Sequence, residues 1–307
     1  MATPDLPDNL FQSFGILFTP ERWGTYTRFT KFYGQTYQFD RPTTNRLRGI
    51  HGHLDRAARL LALAKRMVPS LDEDAAELEA TGHSHANRGH ELAAVIDSII
   101  CEIYSTLDCF RHVLKAIYPN HENLKGSSRG TFQHGHDGKL DPKIPEAIRN
   151  AFKDTKDWFT RLRIYRDAIT HSDVGVCARD KKTLVVGYIQ STLGDDYRYV
   201  EDVFAMLEEF RDKANGFLGV CFDALNATLK DVESEQLCGF YGGRVYQRIA
   251  KPSEATDFHG GRCMSLTWFE KEAEKDPRLR CPLADGCGAY ARGKGNEPKT
   301  DPPAQTS

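Results

Sequence analysis

The sequence predicts a mainly α fold: a four- to five-helix bundle with an inserted β-hairpin and a small irregular α+β C-terminal appendage. Three observations carry this. Long stretches repeat apolar residues at alternating intervals of three and four, two short β-prone runs lie between the last two of them, and after about residue 234 the texture changes to short Gly-punctuated segments.

Residues 1–44 read as an aromatic-rich N-terminal arm, broken by Pro and Gly into irregular structure with one or two short strands. The bundle is expected over 45–231. Its first long helix is set by Leu47, Ile50, Leu54, Ala57, Leu61, Ala64 and Val68 and stops at Pro69. A short acidic helix, LDEDAAELEA, and a Gly-containing turn follow. Leu92, Ile96, Ile99, Ile103, Leu107, Phe110, Leu114 and Ile117 then form one continuous stripe before Pro119, the mark of a second long helix. The stretch NHENLKGSSRGTFQHGHDGKLDPK has no apolar period and reads as a loop longer than most connections inside a domain. A third helix begins near Pro145, carries Ile148, Phe152, Phe159, Leu162, Tyr165 and Ile169 toward the core, and ends near His171. TLVVGYIQ and DDYRYV, separated by STLG, suggest a hairpin. Val203, Leu207, Phe210, Ala214, Phe217, Cys221 and Leu225 mark the fourth helix. Residues 232–291 form the small C-terminal segment, and 292–307, rich in Pro, Gly and Lys, a tail expected to be disordered.

Charge narrows the function classes. With 41 Lys and Arg against 43 Asp and Glu, any nucleic-acid binding must come from a local patch and not from an overall basic field. The N-terminus has neither a basic nor an apolar leader pattern, and no stretch is long and apolar enough to span a bilayer, so a cytoplasmic protein is expected. Cys101, Cys109 and Cys221 fall on apolar helix faces, where thiols act as small core hydrophobes, and a reducing compartment fits a chain that needs no disulfide staples.

The most informative stretch is RIYRDAITHSDVG, which places Arg166 and His171 five residues apart at the end of the third helix. Chance alone supplies about two or three Arg–His pairs at such spacing in a chain of this composition. Arg46/His51, Arg48/His53 and Arg129/His134 are such pairs. Arg166/His171 differs in context. It closes a strongly amphipathic helix, has polar Asp167 directly after the Arg, and has apolar Ile169 between them. An imidazole exchanges protons near neutral pH, and a guanidinium grips phosphate through paired hydrogen bonds, so these are the residue types that RNA cleavage through its own 2′-OH requires. At 100° per residue the two side chains point roughly 140° apart, so either the helix unwinds before His171 or two protomers share a cleft. The residues also allow a plainer reading, in which Arg166 pairs with Asp167 or Asp173 and His171 sits favourably at a helix C-terminus.

RDAITH at the end of a bundle helix resembles the HEPN superfamily, whose helical domains carry an Arg, a polar residue (often Asn, sometimes Asp) and a His four to six positions beyond the Arg. The resemblance covers residues 45–231. It implies a metal-independent endoribonuclease of defence or toxin type, cleaving RNA by 2′-OH attack with a cyclic phosphate product, and acting as a homodimer through the motif helix. Arg166, His171 and Asp167 would be catalytic. Glu102, on the second helix, would steady Arg166, while Arg163, Lys125 and Arg129 would bind the RNA backbone. No metal, cofactor or membrane is expected; RNA is the expected partner, with room for an antitoxin or defence-system protein. The alternative is a non-catalytic HEPN-like RNA-binding or protein-assembly module, and a third reading is a helical scaffold in which the motif is accidental.

Other candidates carry less. The pairs His51/His53, His83/His85 and His134/His136 lie on no predicted strand, where residues two apart would point together, so metal ligation is not expected of them. Cys238, His259, Cys263, Cys281 and Cys287 have zinc-ligand chemistry but irregular spacing with no Cys-x2-Cys knuckle, and they read as ordinary thiols. KGSSRG lacks phosphate-loop spacing. Trp23, Tyr26, Phe29, Phe32 and Tyr33, interleaved with Arg28 and Lys31, have base-stacking chemistry, but packing is the default for them.

Overall fold

The structure is a computed structural model, and it describes residues 24–124, 126–241, 244–254, 260–277, 280–281 and 283–295. The helices are α1 Gly24–Phe32, α2 Arg41–Met67, α3 Leu71–Thr81, α4 Asn87–Ile117, α5 Ser128–His136, α6 Glu146–Asp154, α7 Lys156–His171, α8 Asp195–Arg198, α9 Val203–Asn226, α10 Leu266–Lys275 and α11 Gly288–Gly293. The strands are β1 Val176–Arg179, β2 Val186–Ile189, β3 Tyr199–Val200, β4 Ser234–Tyr241, β5 Arg244–Ala250 and β6 Arg262–Cys263. Among the described residues the protein is mainly helical with two small antiparallel sheets, in the orders β1-β2-β3 and β4-β5-β6. Among the described residues no helix is long and apolar enough to cross a membrane.

The chain divides into two compact units, Phe39–Ala224 and a second made of Met1–Gln38 with Leu225–Ser307. The first is the helical bundle. Asp40 opens α2 by accepting the Thr43 N–H at 2.8 Å. The predicted stripe on α2 is buried from Leu47 to Ala64 and packs along α4, whose own stripe from Leu92 to Leu114 is fully enclosed. Four elements depart from expectation. The supposed long loop contains α5, capped by Ser127, whose hydroxyl accepts the Gly130 N–H at 3.2 Å, and anchored by Phe132. The third helix breaks at Thr155, whose hydroxyl donates to the Phe152 carbonyl at 2.7 Å and so competes with helix continuation, giving α6 and α7. The main hairpin is β1–β2, turned by Asp180, which accepts the N–H groups of Lys182 and Thr183. The expected TLVVGYIQ–DDYRYV pairing shrinks to the two residue pairs Tyr188↔Val200 and Ile189↔Tyr199, because Asp195 and Asp196 start the single helical turn α8, where acidic residues suit the dipole.

The described part of the predicted N-terminal arm packs within the second unit. Residues 1–23, Trp23 among them, lie outside the described residues, but from Gly24 the chain forms α1, with Tyr26, Phe29 and Phe32 buried and so not free to stack on bases. Asn226 donates to the Thr25 carbonyl and Gln236 to that of Lys31, each at 2.8 Å, while Arg28 reaches the carbonyls of Pro252 and Glu254. Part of the presumed tail is also ordered: 288–293 form α11, and 296–307 lie outside the described residues.

Candidate functional site

Helix α7 buries Trp158, Phe159, Leu162, Tyr165 and Ala168 and turns Arg163, Arg166 and Asp167 toward half-exposed positions. Arg166 donates to Asp167 at 3.0 Å, and Asp167 also accepts from Arg163 at 3.2 Å, so one carboxylate steadies two guanidinium groups. The Arg166 guanidinium lies over the Tyr104 ring, 5.0 Å from its centre, and that ring is itself stacked on Phe159 at 5.8 Å. Burial raises the Tyr104 phenol above its ordinary value, with Arg166 opposing the shift. Arg161 pairs with Glu209 at 3.1 Å and lies over Phe210.

His171 is exposed in the last residue of the helix, followed by the Ser172 N–H bonding to the Ala168 carbonyl at 2.8 Å. The helix therefore does not unwind before His171, and the angular separation from Arg166 stands. The chain after His171 is tied down. Gln190, fully buried, donates to the Asp173 carbonyl at 2.9 Å. Buried Asp97 on α4 accepts the Tyr188 hydroxyl at 2.6 Å and the Gly175 N–H at 3.4 Å. Gly175 is required there, since a Cβ would lie 2.2 Å from the Tyr188 ring. Burial raises the Asp97 carboxyl, and its hydrogen bonds only partly oppose this.

Glu102 is not where the resemblance would put it. It accepts from His53 at 2.6 Å and Arg56 at 2.9 Å, both on α2, and does not steady Arg166. On a helix, positions 102 and 104 point about 200° apart, so the face of α4 that meets α7 carries Tyr104 while Glu102 faces α2. Tyr104 lies with Glu102 on the helix expected to pack beside the motif helix, and it is Tyr104, on the face shared with Asp97, Cys101 and Asp108, that contacts Arg166. Arg129 is exposed in the first turn of α5, which packs on α7 through Phe132 stacked 3.8 Å from Phe159. Lys125 lies outside the described residues.

Two other features bear on chemistry. His83 and His85 meet edge to face in an exposed turn, and His136 contacts the Thr155 hydroxyl at 2.9 Å. Among the described residues no group of three or more His, Cys, Asp or Glu stands ready-made as a metal-ligand set. Beside the motif, the register pairs Val176 with Ile189 and Ile189 with Tyr199, and Val174, Ile189 and Tyr199 are exposed, an apolar strip that begins three residues beyond His171. In comparisons with known proteins, no family model, no curated protein and no solved structure matches the chain.

Proposed function

We propose that the bundle is a HEPN-type, metal-independent endoribonuclease in which Arg166 and His171 act across a two-fold dimer, of the kind that serves in defence or as a toxin. The observation that supports this best is the paired state of the motif. Arg166 is preset by Asp167 and Tyr104 with its guanidinium half-exposed, and His171 is exposed at the end of the same unbroken helix. Preset cations and exposed imidazoles are what phosphoryl chemistry uses. Because one helix aims the two side chains apart, each cleft takes Arg166 from one protomer and His171 of the partner subunit. The apolar strip of Val174, Ile189 and Tyr199 gives such a dimer a surface to bury beside the motif.

In this reading an RNA 2′-oxygen attacks the adjacent phosphorus, the bond to the 5′-oxygen breaks, and a 2′,3′-cyclic phosphate and a 5′-hydroxyl result. His171 exchanges the proton, and Arg166 holds the charge that builds on the phosphorane oxygens. Arg163 and Arg129 contact neighbouring phosphates and carry no sequence information. A second reading, a non-catalytic HEPN-like module that binds RNA or assembles with protein, is favoured by the same ion pair, since Asp167 already balances part of the charge of Arg163 and Arg166.

The test is to incubate purified protein with total RNA in excess EDTA and map the new ends. Cyclic phosphate ends appearing in EDTA at the rate seen without it support catalysis. Cleavage that stops in EDTA and returns with Mg²⁺ or Mn²⁺ overturns this mechanism, and RNA bound without cleavage supports the second reading.

A further inference from the structure

The second unit holds four cysteines drawn from three stretches of the sequence. Cys238 sits on β4, Cys263 ends β6, Cys281 lies in the connection after α10, and Cys287 immediately precedes α11. All four pack against one small cluster of Tyr246, Phe269, Ala284 and Tyr290. Each of the six pairs among them is close enough for charge on one sulfur to bear on the other. They are thiols, not disulfides.

The backbone is shaped around them. The β4–β5 register shifts between Leu237 and Gly239, which leaves Cys238 as the extra residue of a bulge, a device that re-aims a side chain. The N–H groups of Ser265 and Leu266 lie near the Cys263 sulfur, and that of Leu283 lies near the Cys281 sulfur. Buried Arg248, which donates to the Gly260 carbonyl at 2.5 Å, brings positive charge to Cys238. Among the described residues this cluster holds four buried ones, a core small enough to gain from a cross-link.

We propose that Cys238, Cys263, Cys281 and Cys287 bind one Zn²⁺ ion in a tetrahedral four-thiolate site that cross-links the β4-β5-β6 sheet to α11. Four Zn–S bonds of about 2.3 Å form as four thiol protons pass to solvent, leaving a site of net charge −2 beside Arg248. The four sulfurs do not stand as a finished ligand set, so they draw in around the ion as it binds. The ion's role is structural and separate from the chemistry proposed for α7, so the two proposals stand or fall independently.

The experiment measures metal content of the full chain, purified without chelators from zinc-supplemented medium, by mass spectrometry. About one zinc per chain is expected. Cys263→Ser and Cys281→Ser should each lose most of it, and Cys101→Ser should keep it. Wild-type protein produced in cobalt medium gives a second readout that does not depend on the folding of the two site variants: thiolate-to-cobalt charge-transfer absorption with tetrahedral d–d bands is expected. Wild-type protein with only trace zinc and no such cobalt spectrum overturns the proposal. So does peptide mapping that finds the four cysteines joined as two disulfides, or zinc retained in both site variants.

Discussion

Replacing His171 with alanine is expected to slow RNA cleavage by about a hundredfold or more, the usual contribution of a positioned acid or base. Arg166→Ala should do the same by removing the charge that meets the phosphorane. Neither change touches the enclosed core. His171 is exposed, so its loss should alter stability by about 0.5 kcal/mol or less. Arg166 gives up a half-exposed ion pair and its contact with Tyr104, which together are worth about 1 kcal/mol. Rates on a labelled oligonucleotide, measured beside urea unfolding of each variant, separate lost chemistry from lost fold. Wild-type cleavage by both variants would remove the catalytic reading.

The largest effect on stability is expected from Phe132→Ala. This ring is fully buried, stacks 3.8 Å from Phe159, and lies 4.8 Å from Phe152 and 5.6 Å from Phe217, so it joins α5, α6, α7 and α9. Truncating such an aromatic removes its burial and leaves a cavity that the surrounding helices fill only in part, at a cost of about 3–5 kcal/mol. The urea midpoint should fall accordingly, with the slope of the transition unchanged. A loss under about 1 kcal/mol would mean that α5 does not seat on the bundle as described.

Why Phe132 belongs to a helix was hidden in the sequence for a physical reason. At Gly135 a Cβ would lie 2.6 Å from the Phe152 side chain, so close packing requires glycine where an apolar residue would have advertised a helical period. The long helices α2, α4 and α9 were legible because their stripes are long and wholly buried. Helix α1 was not, although Tyr26, Phe29 and Phe32 recur at helical spacing, because aromatic residues flanked by Pro and Gly suit strands equally well. At the candidate site, the end of α7 at His171 could be read from its pattern, whereas the choice between Glu102 and Tyr104 could not, since one chain does not say which side of α4 meets α7. Cys238, Cys263, Cys281 and Cys287 show zinc-ligand chemistry in the sequence, but their irregular spacing does not say that they gather, because the bulge and the turns that bring them together are tertiary features.

Mixing the two inactive variants tests the shared cleft most directly. Arg166→Ala protein keeps His171, and His171→Ala protein keeps Arg166, so a mixed dimer contains one complete cleft and one lacking both groups. Equal amounts, exchanged to equilibrium, should recover about a quarter of the wild-type rate, as random pairing of a two-fold dimer requires, and sedimentation should show dimers throughout. A mixture as inactive as its parents while sedimenting as mixed dimers, or full specific activity in wild-type protein that sediments as a monomer, would contradict the assignment of Arg166 and His171 to opposite sides of one cleft.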